Sequence, residues 1–246
     1  MGFVKRDMVP GIEFVYGSLT ASESPLVVGV LGSTAYGLAT EHSDVDYLGV
    51  HYVATNKLYG LGVKELLETT RVGFLPDYAS HEIFKFVRLA LGGNPTILEV
   101  LFLDNYEYIS PEFEKFREIR HAFLSTKKVK AAYTGYVLHQ AKRLVNRNGR
   151  GFDPDLAKRT QKHGRHCCRL LIQAEAALTT GEIVIDVSDA RDEIFRIGEL
   201  AETDEEKFLE FVQDRVEVID NLDSVLADKP DRDLIEKCLI KFRLEH

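Results

Sequence analysis

The chain has 246 residues, 45% hydrophobic and 10% aromatic, enough to bury one substantial core or two small ones. Its longest apolar run, residues 26–31, is far short of the roughly 20 residues that cross a bilayer, so no transmembrane helix is expected. A formal charge of -8 opposes an evenly basic nucleic-acid surface, and three cysteines, two of them the neighbours Cys167 and Cys168, exclude a disulfide framework or a spaced zinc motif.

The start, Met1-Gly2-Phe3-Val4-Lys5-Arg6, has neither an apolar signal segment nor a myristoylation pattern, and a reducing cytoplasm is the expected location. Residues 26–31 read as a buried strand ending in Gly32-Ser33, and residues 44–53 as a second strand of alternating polar and apolar positions. Between them, residues 34–40 are long enough for about two helical turns. Residues 71–78 form a weaker candidate strand. Ile83, Phe84, Val87, Ala90 and Leu91 then recur at helical spacing until Gly92-Gly93 and Asn94-Pro95 stop the helix.

Beyond about residue 110 strand signals nearly vanish and helical periodicity runs on, over 111–124, 126–146, 154–180, 188–200, 204–226 and 231–244. Residues 148–151 are a loop by composition, and Thr180-Gly181 closes the longest helix. The expected organisation is therefore two domains, 1–110 and 111–246. Charge is uneven along the second. Nine Lys or Arg stand against two acids from His139 to Arg169, whereas fourteen acids face four basic residues from Asp186 to Asp223.

Residues two apart in a strand point to one face, so Asp44 and Asp46 would present paired carboxylates able to bridge two magnesium ions. An isolated Asp-x-Asp is more often a solvated strand end. Gly32-Ser33 changes that balance, because a glycine between a buried strand and a short helix lets backbone amides approach a phosphate, and Ser33 adds a hydroxyl donor.

The stretch GSTAYGLATEHSDVDYLGV resembles the signature of the DNA polymerase β superfamily of nucleotidyltransferases in residue type, spacing and context. HEIFKFVRLALGGNPTILEVLF and KHGRHCCRLLIQAEAALTTGEI are similar to a bacterial and phage branch related to RNA-repair polymerase-β-like proteins, so the resemblance covers most of the chain. It implies an α+β fold, with a mixed-sheet catalytic domain followed by an all-helical C-terminal domain that closes the substrate cleft. It also implies transfer of a nucleoside monophosphate from an NTP to an acceptor hydroxyl, with Mg²⁺ or Mn²⁺ as cofactor.

Members of the superfamily carry a third carboxylate on a strand beside the Asp-x-Asp strand. Asp77, at the end of the weak strand, is the first choice and Glu82 the alternative, since an acid opening a helix is also explained by the helix dipole. The usual third-acid pattern is not cleanly reproduced, which leaves the general base open. His81, Lys85 and Arg88 share one helical face, and Lys85 is expected to neutralise the triphosphate. Glu99, among apolar neighbours, reads as a buried polar anchor.

Lys162, Arg165, His166 and Arg169 lie on a single helical stripe, a cationic ridge that either holds the triphosphate or an acceptor backbone, or faces solvent. His163 and Cys167 are four apart, but two ligands make no zinc site. RNA, as a tRNA or a broken end, is the expected acceptor, from the basic stretch and the resemblance. The acidic net charge and the lack of an RNA-binding module keep protein or small-molecule nucleotidylation open, and so does a non-catalytic nucleotide-binding protein.

Overall fold

The computed structural model describes residues 9–41, 43–74, 76–145 and 154–246. The loop expected at 148–151, with Arg147 and Arg150 of the basic stretch, lies outside the described residues.

A short helix α1 (Glu13–Tyr16) precedes β1 (Glu23–Leu31), whose centre is rich in valine, a β-branched residue that packs well on a pleated surface. One turn of helix, α2 (Gly32–Ala35), follows, then β2 (Asp46–Val53), α3 (Val63–Leu67), β3 (Thr70–Phe74) and β4 (Asp77–Glu82). Helices α4 (Ile83–Leu91) and α5 (Pro95–Phe102), the two-residue β5 (Tyr108–Ile109) and α6 (Pro111–Glu118) complete the first half. The rest is helical: α7 (Thr126–Val145), α8 (Pro154–Thr180), α9 (Arg191–Thr203), α10 (Glu205–Asn221) and α11 (Arg232–Glu245). No described helix is long and apolar enough to cross a membrane.

The five strands form one mixed sheet in the order β3-β4-β2-β1-β5, with β2 and β4 parallel and the other pairs antiparallel. Period-two alternation gives each face its own core. Leu48 and Val50 of β2 join the large cluster built with the helices, whereas Tyr78 belongs to a small cluster with Ile12 and Val15, against which Tyr47 also packs. The large cluster runs without a break from Leu26 of β1 through Phe86, Phe113 and Leu171 to Phe242 of α11. Position 110 therefore falls between β5 and α6, but the apolar core crosses it.

Three expectations change. Residues 71–78 are not one strand: β3 and β4 are the arms of a hairpin broken at Pro76, which has no N–H to give a ladder. The strand expected from residue 44 begins at Asp46, because its partner β1 ends opposite at Leu31, leaving Asp44 in the irregular lead-in. The helix expected over 34–40 ends at Ala35, and the chain turns back through Gly37 at φ +69°.

Candidate active site

Register places four residues in a row across the sheet. Leu31, ending β1, lies opposite Asp46, Asp46 opposite Asp77, and Asp77 opposite Phe74. Directly opposed residues project on one face, and Asp46 alternates with Leu48 and Val50 of the main core, so the row faces the helical half. Asp46 is half-buried, while Asp77 is exposed at the start of β4.

Gly32 follows Leu31 with φ +70°, a left-handed backbone that side-chain-bearing residues rarely adopt. Any Cβ there would also run into Oδ2 of Asp46. Glycine is required twice over, and the turn and the carboxylate are in van der Waals contact. The amides opening α2 thus stand beside Asp46 with no side chain between them, and Ser33 is next in line.

Burial holds the Asp46 carboxyl above the ordinary carboxylate range; Lys162 of α8 opposes this, and the charges of Asp77 and Asp44 add to it. Asp44, Asp46, Asp77 and Lys162 therefore share one electrostatic neighbourhood, although they come from three segments far apart in sequence. Among the described residues no three acidic, histidine or cysteine side chains yet converge to coordinating distance. The donor set nonetheless fits a hard divalent cation: all three groups are carboxylates, and a cation between them would remove the repulsion Asp46 suffers from its neighbours.

The structure corrects two expectations for this end of the sheet. Glu82 lies five residues beyond Asp77 along β4, about 17 Å away and on the other face, where it is buried and ion-paired with Arg243 of α11. It is not beside Asp46. Lys85 starts from that far end too, because α4 leaves β4 there; its Nζ donates to the Glu68 carbonyl at 3.1 Å and to Thr70 Oγ1 at 2.6 Å, out of reach of a phosphate held at Gly32.

The stripe on α8 divides rather than forming one open ridge. Lys162 is exposed toward the carboxylates. Arg165 turns against α9, its guanidinium 4.6 Å from the Phe195 ring centre. Arg169 is only 2% exposed: Nη1 donates to Glu99 Oε1 at 2.5 Å and Gln173 Oε1 at 2.8 Å, and the guanidinium stacks 3.7 Å from the Tyr36 ring centre. Its Nη2 donates to Nδ1 of His166 at 3.1 Å, and burial, with the neighbouring Arg169 charge, pushes that imidazole down to about 3. Arg169 is an internal strut, and half-buried His166 is tied to it, so neither stands as a cation open to a triphosphate.

Glu99 is the buried anchor expected from sequence, also accepting from Tyr36 Oη at 2.7 Å. Two groups escaped the sequence reading. Tyr36, directly after α2, links the Gly32 turn to Glu99 and Arg169; Arg191 donates to the carbonyls of Gly37 at 2.6 Å and Ala39 at 2.9 Å. Neither has a local signal, since their partners are 63 or more residues away. Cys167 and Cys168 are buried in the core.

A mixed sheet with acids at its Gly-Ser end, backed by helices, defines a polymerase-β-like nucleotidyltransferase. More narrowly, the chain belongs to the RNA repair pathway DNA polymerase beta family, whose sequence profile matches residues 24–213. Among solved structures it is similar to a nucleotidyltransferase-like protein from Exiguobacterium sibiricum 255-15, at 11% identity over 90% of this chain and 74% of that one, with a TM-score of 0.31. That likeness is too loose to bear on chemistry. No curated protein matches the sequence significantly.

Proposed function

We propose that the protein is a metal-dependent nucleotidyltransferase that moves a nucleoside monophosphate from an NTP to a hydroxyl on RNA, a tRNA or a broken RNA end. The observation that carries this is the contact between Gly32 and Asp46 Oδ2, with Asp77 in register beside Asp46. A turn whose amides could accept an anion, lying against one carboxylate with a second in register, supports this reading, because in-line phosphoryl displacement needs a phosphate cradle beside acidic metal ligands.

Asp44, Asp46 and Asp77 would hold Mg²⁺ or Mn²⁺, which when bound neutralises charge on the phosphoryl oxygens. The backbone at Gly32 and the Ser33 hydroxyl hold the triphosphate, and Lys162 supplies a cation from above. The acceptor oxygen bonds to the α-phosphorus as the bond to the bridging oxygen of pyrophosphate breaks. Asp77, exposed at the edge of the cluster, takes the acceptor proton.

RNA is favoured over protein or small-molecule acceptors by the family's description and by exposed Lys142, Arg143, Lys158, Arg159 and Lys162 on α7 and α8, which suit a polyanion. The test is incubation with labelled NTPs, Mg²⁺ or Mn²⁺, and total cellular RNA or protein. Label should enter RNA with pyrophosphate release and be lost in Asp44→Ala and Asp46→Ala. Undiminished turnover in both variants would refute the assignment, and metal-dependent NTP binding without transfer to any acceptor would mark a nucleotide-binding protein instead.

A further inference from the structure

The row across the sheet has two ends. At one, beyond Asp46, is the Gly32 turn; at the other, beyond Asp77, is Phe74 on the edge strand β3. Displacement at phosphorus is in line, so a pyrophosphate leaving on the Gly32 side requires the acceptor on the opposite side. That side is where Phe74 stands, one strand from Asp77 and two strands, about 10 Å, from Asp46.

Phe74 is 80% exposed, and Val72, on the same face of β3, is 55% exposed. An aromatic ring stabilises a fold by being buried, so an open ring here contributes little to folding. Every nucleobase has a π-face that stacks on an aromatic ring without regard to sequence. Further along this face is Thr70, four residues and about 13 Å from Phe74, bonded to Lys85. The charges of Arg88, Lys85 and Lys64 all act on Glu68, and with Glu65 of α3 they make three cations to two acids, so this end of the strip has an excess of positive charge.

We propose that the exposed stretch of β3 that carries Phe74, Val72 and Thr70 is the acceptor track: Phe74 stacks the base next to the reacting end of a single-stranded RNA, Val72 lies beneath the chain, and Lys85 with its neighbouring cations holds backbone phosphate. The proposal rests on the transferase reading for its direction, but it is tested without turnover. Lys85, too far from Gly32 to meet the triphosphate, has on this track an anion within reach.

The probe is a fluorescein-labelled single-stranded hexaribonucleotide with 2-aminopurine near its end, titrated with the full chain in the absence of NTP. Phe74→Ala should weaken binding about tenfold, within the range for losing one stacked base, and abolish the change in 2-aminopurine emission; Phe74→Trp should restore both. Lys85→Gln should weaken binding and reduce the slope of log affinity against log salt by about 0.7. Binding of a fluorescent NTP with Mg²⁺ should not change in any of these variants. Wild-type RNA affinity in Phe74→Ala, or a wild-type chain that ignores the oligonucleotide, overturns the proposal. Transfer to protein without oligonucleotide binding would remove the track and leave the transferase; RNA binding through Phe74 without transfer would do the reverse.

Discussion

Gly32 and Asp46 constrain each other, and that mutual constraint yields two expectations. Gly32→Ala places a Cβ in a left-handed backbone and against Asp46 Oδ2, so the turn must open or the carboxylate must swing away. We expect a stability loss of about 1–2 kcal/mol in urea melts, from the backbone penalty alone, and loss of nucleotide transfer beyond what that destabilisation explains. Asp46→Asn acts in the opposite direction on the metal-free chain, because it removes a partly buried charge that Asp77 and Asp44 repel. Its melting temperature without metal should equal or exceed that of the parent. Added Mg²⁺ should raise the melting temperature of the parent and leave the variant unmoved, since a ligand stabilises only the state that binds it. An equal magnesium response in both would remove Asp46 from the metal site. The approach of Gly32 to Asp46 was legible because the turn and the carboxylate lie within one short stretch of chain. The neighbourhood of Asp77 was readable from sequence only through the family resemblance, since its pairing with Asp46 spans 31 positions and a hairpin hidden by an intervening proline.

Helix α8 shows why helical spacing alone cannot say which way a charge faces. Lys162, Arg165, His166 and Arg169 lie on one stripe, yet only Lys162 is open toward the carboxylates; Arg169 is drawn inward by Glu99, 70 residues earlier. No local pattern distinguishes an arginine on a surface from one with a buried acid waiting. The Glu99–Arg169 pair joins α5 to α8, and Tyr36 ties both to the turn after α2. Arg169→Ala leaves Glu99 uncompensated in the core and should cost about 3–5 kcal/mol in chemical denaturation, whereas a loss below 1 kcal/mol would mean that water reaches Glu99. His166 gives the same network a pH dependence. Its folded pKa is depressed to about 3 against an ordinary 6.5, so below pH 6.5 the unfolded chain binds a proton that the folded chain refuses. Stability contributed by the neutral ring is complete above pH 6.5 and is lost as pH falls toward 3, by about 2 kcal/mol at pH 5. His166→Gln should flatten that part of the profile relative to the parent; superimposable profiles would show that the ring is free to protonate in place.

The change from strand to helix near residue 110 was evident from periodicity, and the helices after it start close to where the spacing put them, although those expected over 111–124 and 204–226 end early, at Glu118 and Asn221. How the two halves join was not evident, because a hydrophobic pattern marks which side of a helix is buried without saying against what. Here the apolar cluster passes from Leu26 of β1 to Phe242 of α11, and α11 reaches back further: Arg243 donates to the Val53 carbonyl at 3.0 Å and pairs with Glu82, which is fully buried. Glu82 has its own carboxyl raised by burial, with Arg243 opposing that shift, so removing the arginine would strand an acid inside the sheet end rather than release a surface contact. A core shared in this way predicts one cooperative unfolding transition despite two segments of different secondary structure. The chain has ten tyrosines and no tryptophan, so tyrosine emission, in part from Tyr36, Tyr47, Tyr52 and Tyr78 in the first half, can be followed beside circular dichroism at 222 nm, which is weighted toward the helices. The two curves should coincide in the parent and shift together in Arg243→Ala, to lower denaturant by an amount equivalent to about 3–5 kcal/mol. If dichroism is retained while tyrosine emission changes first, the sheet-bearing half unfolds separately, and the contacts of α11 do not bind the two halves into one folding unit.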